Sequence, residues 1–482
     1  MRRALLLLAA STTAACGSGG GSTTSGDTPD AGTCSLSAPA LPDTRLHADG
    51  TRLRDALGRV VILRGVNAGG RSKFTPFVPF DFAEGGFDAA LAAYLDRAEA
   101  WGLDALRVPF TWAAVEPVQG MDDDAYLARY DALLDGAWKR GMYTIVDFHQ
   151  DIYAEVFCGD GFPAWTVPDP KPAPHHDCPS WSTAYFNDDG VKAAFDAFWA
   201  SGSPVQAAYA SMWDRMAARY KDRPGVIGFE LLNEPGWGTQ NLDQFEATTL
   251  TDFFSTMIAR VQKTAPSSLV FFDATGPDAG VAATSLKRPT GEGIVFAPHY
   301  YQLSALGGIS GDPARVRLDL AKWQNQARQW DVPVLLGEFG IVNTAAEPAA
   351  FMTAHFDALD ALGMHGTQWE YSVAKEDWNS EDLSLVRADG TENAMAAAIV
   401  RAYPRAVAGD DVAFAFDAAT GGFTLSYTPA AGITEVAVPA RLYPAGYDVK
   451  ISGGCADTGT AGRLLVQAEG GATKVEVTVT AR

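Results

Sequence analysis

The sequence predicts an α/β fold, a (β/α)8 TIM barrel followed by a small antiparallel β-sandwich domain. Three observations carry that prediction. Eight apolar, β-branched runs alternate with helical patterns, the runs are continuously apolar, and from about residue 405 the pattern changes to short alternating segments. Continuous apolarity marks strands buried on both faces of a parallel sheet, whereas alternation marks strands with one wet face.

The eight runs are RVVILRGVN (59–67), DALRVPF (104–110), YTIVDFHQ (143–150), VIGFELLNE (226–234), SLVFFDA (268–274), IVFAPHYY (294–301), PVLLGEFG (333–340) and GTQWEYS (366–372). Between them, segments such as 87–102, 125–141 and 245–264 place apolar residues three and four apart and carry Gly or Pro near their ends, as amphipathic helices do. Eight such units over about 340 residues fit a barrel with insertions better than an open sheet. No Gly-rich dinucleotide fingerprint follows any run. From YPRAVAGDD (403–411) onward, VAFAFDA, GFTLSYT, ITEVAVP, YDVKISG, RLLVQAEG and TKVEVTVTAR read as sandwich strands.

The N-terminus has two arginines, an apolar stretch from Ala4 to Ala10, small residues and then Cys16. That is the anatomy of an export signal, too short to remain as a membrane-spanning helix. Thr13-Ala14-Ala15-Cys16 resembles the lipobox of bacterial lipoproteins, in which the Cys is acylated. The expected organisation is therefore a signal peptide over 1–16, a flexible tether over 17–40, a catalytic barrel over 41–404 and a sandwich over 405–482. The protein is expected to be exported and lipid-anchored at the bacterial envelope, or otherwise secreted.

Four cysteines remain, Cys34, Cys158, Cys178 and Cys455, and in an oxidising compartment they point to disulfides. Cys158 and Cys178 bracket one Pro/Gly-rich loop and form the nearest pair; Cys34 with Cys455 follows by elimination. HHDC (175–178) invites a metal reading, but without a second ligand cluster it reads as a surface loop. The net charge of -21 opposes nucleic acid and bare anionic lipid surfaces.

Chemistry concentrates where the apolar runs stop. Those ends carry Asn67, Arg107, His149, Asn233 with Glu234, His299 with Tyr301, Glu338 and Trp369. In a parallel barrel the C-terminal strand ends form the reactive face. Two carboxylates facing each other there are the minimum apparatus for cutting a glycosidic bond, one protonating the leaving oxygen and the other attacking or activating water. That chemistry needs only the carboxylates and water, so no cofactor or metal is expected.

The ordered set Arg107, His149, Asn233-Glu234, His299-x-Tyr301, Glu338 and Trp369 resembles glycoside hydrolase family five, a group of retaining barrel glycosidases. The resemblance implies Glu234 as acid/base and Glu338 as nucleophile. It also implies Asn233 on the sugar 2-hydroxyl, Tyr301 and Arg107 holding Glu338 ionised and oriented, Trp369 as a sugar platform, and His149 and His299 in the polar floor. DFHQDIYAEVFCGDGFPAWTV (147–167), GVKAAFDAFWAS (190–201) and YPRAVAG (403–409) are similar to the endoglycoceramidases within that family. This closer likeness implies Lys73 and Asp151 as sugar contacts and a glycolipid as substrate.

Two features depart from the pattern. Glu370-Tyr371-Ser372 replaces small polar residues after Trp369, and the loop after the first run is rich in Phe74, Phe77, Phe80 and Phe82. Those phenylalanines either line a lipid-accepting groove or pack the loop onto the barrel. The leading expectation is a retaining β-glycosidase that separates a glycan from a lipid. A β-1,4-glucanase or mannanase is the alternative enzyme, and a carbohydrate-binding lipoprotein on an inactive barrel is the non-enzymatic one.

Overall fold

A computed structural model describes residues 32–83, 86–171, 178 and 180–482. Cys16 and residues 175–177, on which the anchor and metal readings fell, lie outside the described residues. Eight strands form one parallel sheet: β1 (Arg64–Asn67), β2 (Ala105–Phe110), β3 (Tyr143–Phe148), β4 (Val226–Glu230), β5 (Leu269–Phe272), β6 (Ile294–Phe296), β7 (Leu335–Leu336) and β8 (His365–Gln368). Their order is β7-β8-β1-β2-β3-β4-β5-β6. The barrel closes between β6 and β7, where Phe296 bridges Val334 and, farther along, His299–Tyr300 pairs with Glu338–Phe339. That extension sets His299 directly beside Glu338.

The helices begin and end where side-chain chemistry tells them to. Asp123 accepts from two backbone N–H groups at the start of Asp124–Lys139, and Asp312 caps Pro313–Trp330 with proline in the first turn. Gly363, with φ 66°, ends Pro348–Leu362 in the left-handed conformation that favours glycine. The 245–264 segment is helical throughout but interrupted by a π turn at Glu246–Leu250.

The C-terminal region is a sandwich of a four-stranded and a seven-stranded sheet, paired antiparallel throughout. The expected division at 41–404 and 405–482 is crossed. His47–Asp49, Arg52–Arg54 and Val60–Val61 belong to the seven-stranded sheet, joined to it where Val60 and Val61 pair with Tyr403–Val407. The first apolar run is thus two strands: Val60–Val61 in the sandwich and Arg64–Asn67 in the barrel. Leu46, Leu53, Val61 and Leu63 pack with Ile145, Ile227, Leu269 and Phe271, so the N-terminal strands contribute to the barrel's lower core. Disulfides join Cys34 to Cys455 and Cys158 to Cys178.

The phenylalanine loop packs inward. Phe80 is buried against Phe82, Phe87 and Tyr94, and Phe77 meets Tyr126 edge-on. Phe74 lies over the Arg71 guanidinium. None of the four lines the main cleft, so the groove reading gives way to the packing one.

Candidate active site

At the C-terminal face, a cleft of about 870 Å³ is bounded by Lys73, Asp151, Glu234, Tyr301, Glu338 and Trp369. Arg107, His149, Asn233 and His299 are buried just beneath it. With Asn67, which accepts from Arg107, the strand-end residues and the two further sugar contacts singled out in the sequence gather at one place.

Arg107 organises the floor. Its guanidinium donates to both oxygens of Glu230 at 2.8 Å, to Asn67 Oδ1 at 2.9 Å, to Asn233 Oδ1 at 2.8 Å and to Glu338 Oε1 at 2.7 Å. A planar fork of donors suits several fixed acceptors at once, which a flexible ammonium would serve poorly. Tyr301 donates to the other Glu338 oxygen at 2.9 Å, whereas Tyr300 turns away to Asp319. Burial alone would raise the Glu338 pKa, but His299, Arg107, His149 and Lys73 outweigh it and hold the carboxyl below its ordinary value.

Glu234 follows β4 with φ 36°, a left-handed backbone for a non-glycine residue and a local strain of the kind stored at reactive sites. Gln150 fixes it by donating to the carbonyls of both Asn233 and Glu234 at 2.8 Å. His299 Nδ1 lies 2.8 Å from Glu234 Oε1 and 3.6 Å from Glu338 Oε2, and its Nε2 lies 3.3 Å from Asp273. Burial opposes its charge; Asp273, Glu338 and Glu234 prevail and raise its pKa to about 9. Ligand atoms of Glu234, His299 and Glu338 all lie within 4.8 Å of one another. That proximity suits the close carboxylate spacing of a retaining pair rather than the wider separation of an inverting one.

The opposite wall is aromatic and charged. Lys73 Nζ binds Asp151 at 2.6 Å and sits over the rings of Trp378 at 4.0 Å and Trp369 at 4.5 Å. Trp369 stacks on His149 and donates its indole N–H to Glu381 at 3.3 Å. Burial disfavours charge on His149, yet Asp147 and Asp151 raise its pKa to about 10. Asn379 ties this wall to the disulfide loop, donating to the Cys158 carbonyl at 2.8 Å and accepting from the Cys178 N–H at 3.1 Å.

Sequence reasoning missed Asp147, Glu230, Asp273 and Glu381. The first three are single acids inside or ending apolar strand runs, and that interruption is the signal that marks them. Two other groups, His149 with Asp151 and Asp160, and Glu230 with Asp273 and His299, also bring ligand atoms within 4.8 Å. Protein cations already serve them: Lys73 lies on Asp151 and Arg107 on Glu230.

A parallel barrel, with paired carboxylates at its C-terminal mouth and one of them clamped by an arginine, is the architecture of a retaining glycoside hydrolase. Residues 73–375 match the family described as cellulase (glycosyl hydrolase family 5), and residues 401–480 match the glycoside hydrolase family 5 C-terminal domain. The chain belongs to glycosyl hydrolase family 5. It is 29% identical to endoglycoceramidase I of Rhodococcus hoagii over 92% of this chain and 89% of that protein. Endoglycoceramidase of Cyanea nozakii is 25% identical over 83% of this chain and 85% of its own. Among solved structures, the ganglioside GM3 complex of endo-glycoceramidase II from Rhodococcus sp. superposes with a TM-score of 0.76 at 25% identity, covering 90% of this chain and all of that one. A lactosyl-enzyme intermediate of the same enzyme superposes at 0.74, with 25% identity over 89% of this chain and 99% of that one.

Proposed function

We propose that the protein hydrolyses the bond between a glycan and a lipid aglycone of the ceramide type. One observation carries the reading: the cleft that holds Glu234 and Glu338 has a dual lining. Tryptophans and ionised groups gather around Lys73, and the same cleft is also lined by the apolar side chains of Phe186, Val281, Leu306 and Val342. A polysaccharide presents hydroxyls on both sides of the scissile bond, whereas a glycolipid presents them on one side and apolar chains on the other. The glycoceramide-cleaving relatives support the same assignment.

In this mechanism Glu338 attacks the anomeric carbon as Glu234 protonates the departing oxygen, and the glycan remains bound to Glu338 as an ester. Glu234 then takes a proton from water, which displaces Glu338 and restores both carboxyls with retained configuration. Arg107 and Tyr301 keep Glu338 ionised for the attack, and Asn233 presents its amide to the 2-hydroxyl. Lys73, Asp151 and Trp369 hold the glycan. The test is product analysis. Incubation with a glycosphingolipid in detergent should release an intact oligosaccharide and ceramide; reducing ends from soluble cellulose or mannan, with the glycolipid untouched, would overturn the reading.

Export and acylation at Cys16 are part of the proposal, supported by the charged, apolar and small-residue segments before it. Cys16→Ser should move the protein from the membrane fraction to the soluble one. Persistence of the variant in the membrane fraction would count against the anchor.

A further inference from the structure

We propose that the apolar ridge at residues 303–309 docks the protein onto an uncharged lipid surface, so that the cleft opens against the layer that holds its substrate. The proposal rests on the glycolipid reading above. Helix Leu303–Leu306 and the turn after it set Leu303, Leu306 and Ile309 three residues apart, the spacing that gathers side chains on one side of a helical turn. Leu303 is 76% exposed and Ile309 70%. Leu303 and Leu306 line the cleft, as does Val281, but Ile309 stands outside its wall, so an aglycone held within the cleft does not account for it. Apolar side chains clustered in water beside a catalytic mouth mark a contact surface.

The ridge is held in place. The Ile309 N–H donates to the Ser304 carbonyl at 3.0 Å and its carbonyl accepts from Ala346 at 3.1 Å, while Ser310 forms a parallel bridge with Ala346. Gln302 adds a clasp, donating to the Asp312 carbonyl and accepting the Asp312 N–H. Tyr301, which holds Glu338, immediately precedes this unit, so the ridge stands next to the reacting carboxylates along the chain. Val281, also exposed, adjoins it through Gly280, whose missing Cβ would lie 3.8 Å from Leu303 Cγ. A lipid surface fits better than a protein partner because the ridge runs into the cleft through Leu303 and Leu306, and the ceramide product must return to a lipid phase. The charge of -21 selects among surfaces: zwitterionic or neutral lipid is accepted and anionic lipid repelled.

The test pairs Ile309→Glu with Ile309→Trp, each compared with the parent in a full-length chain that carries Cys16→Ser so that no acyl group contributes, on phosphatidylcholine vesicles with and without lactosylceramide. Placing a carboxylate in the contact should weaken vesicle binding and vesicle hydrolysis about tenfold, and tryptophan should strengthen both. Hydrolysis of a water-soluble aryl lactoside should stay level in both variants. Added phosphatidylglycerol should weaken binding of all three forms, most at low salt. Equal vesicle binding by both variants and the parent overturns the proposal, as does an Ile309→Glu effect confined to self-association in sedimentation. If the parent leaves lactosylceramide intact in detergent, the glycolipid reading falls by itself. Binding to plain phosphatidylcholine then decides the docking alone, upheld by Ile309-sensitive binding and overturned by none.

Discussion

Arg107 shows why the reactive pair behaves asymmetrically. Glu338 receives a guanidinium and a phenol, whereas Glu234 receives an imidazolium that also faces Asp273. We expect Glu338→Gln to abolish turnover of every substrate. Glu234→Ala should retain activity towards aryl glycosides with good leaving groups and gain rate with azide, which needs no general base. Steady-state kinetics with and without azide distinguishes the two, and exchanged behaviour would reverse the assignment. Glu370 supplies a second residue-level prediction. It accepts from the Gly70 N–H and the Ser372 hydroxyl, and burial raises its pKa from 4.5 to about 7. The folded state therefore holds a proton that the unfolded chain has released, and this contribution is complete at low pH and lost as pH rises through about 7. Glu370→Gln should flatten that part of the stability-pH curve by about 3 kcal/mol, measured by urea melts from pH 5 to 8. At this scale the sequence is legible where a polar residue ends an apolar run, as at Asn233-Glu234. It is less legible at Asp147 and Glu230, because a lone acid within a strand gains meaning only when the barrel turns Arg107 towards it.

Loops rather than strands separated expectation from structure at the level of elements. Composition identifies Phe77 and Phe80 as apolar, but their direction depends on the surfaces they meet, here Tyr94 from one helix and Tyr126 from another. Phe80→Ala should thus cost about 3–5 kcal/mol in a denaturant melt, as large aromatic truncations in a packed core do. The ratio of kcat/KM on glycolipid to that on an aryl glycoside should stay constant; a selective loss on glycolipid would restore the groove reading. The barrel strands were legible because burial on both faces leaves a continuous apolar trace. Residues 59–67 show its limit, since two short strands buried in different sheets read as one.

Across the whole molecule, the catalytic barrel and the sandwich are bound by strands from both ends of the described chain. Pairing between Val60–Val61 and Tyr403–Val407 leaves no local sequence trace, which is why the N-terminal strands were not assigned to the sandwich sheet while both domain types were recognised. The Cys34 to Cys455 disulfide closes the same arrangement, with a sequence separation of 421 residues. Replacing both cysteines by serine should lower unfolding stability by about 2–4 kcal/mol. Aryl glycoside kinetics should be unchanged, because the bond lies at the sandwich and away from the strand ends that hold the carboxylates. A matched loss of kcat would show instead that the two domains communicate.

The shared sheet also sets a timetable for biogenesis. At about 5–20 residues per second, the ribosome needs roughly 20 to 70 s between making Val60–Val61 and making their partner strand. Throughout that interval the early strands have open edges and no completed sheet to join. Long-range pairings of this sort form slowly because a large loop must close first. A chain halted before residue 403 would retain Glu234 and Glu338 and still lack the sheet that anchors its N-terminal strands, so such a truncation should be cut faster than the full chain in limited proteolysis.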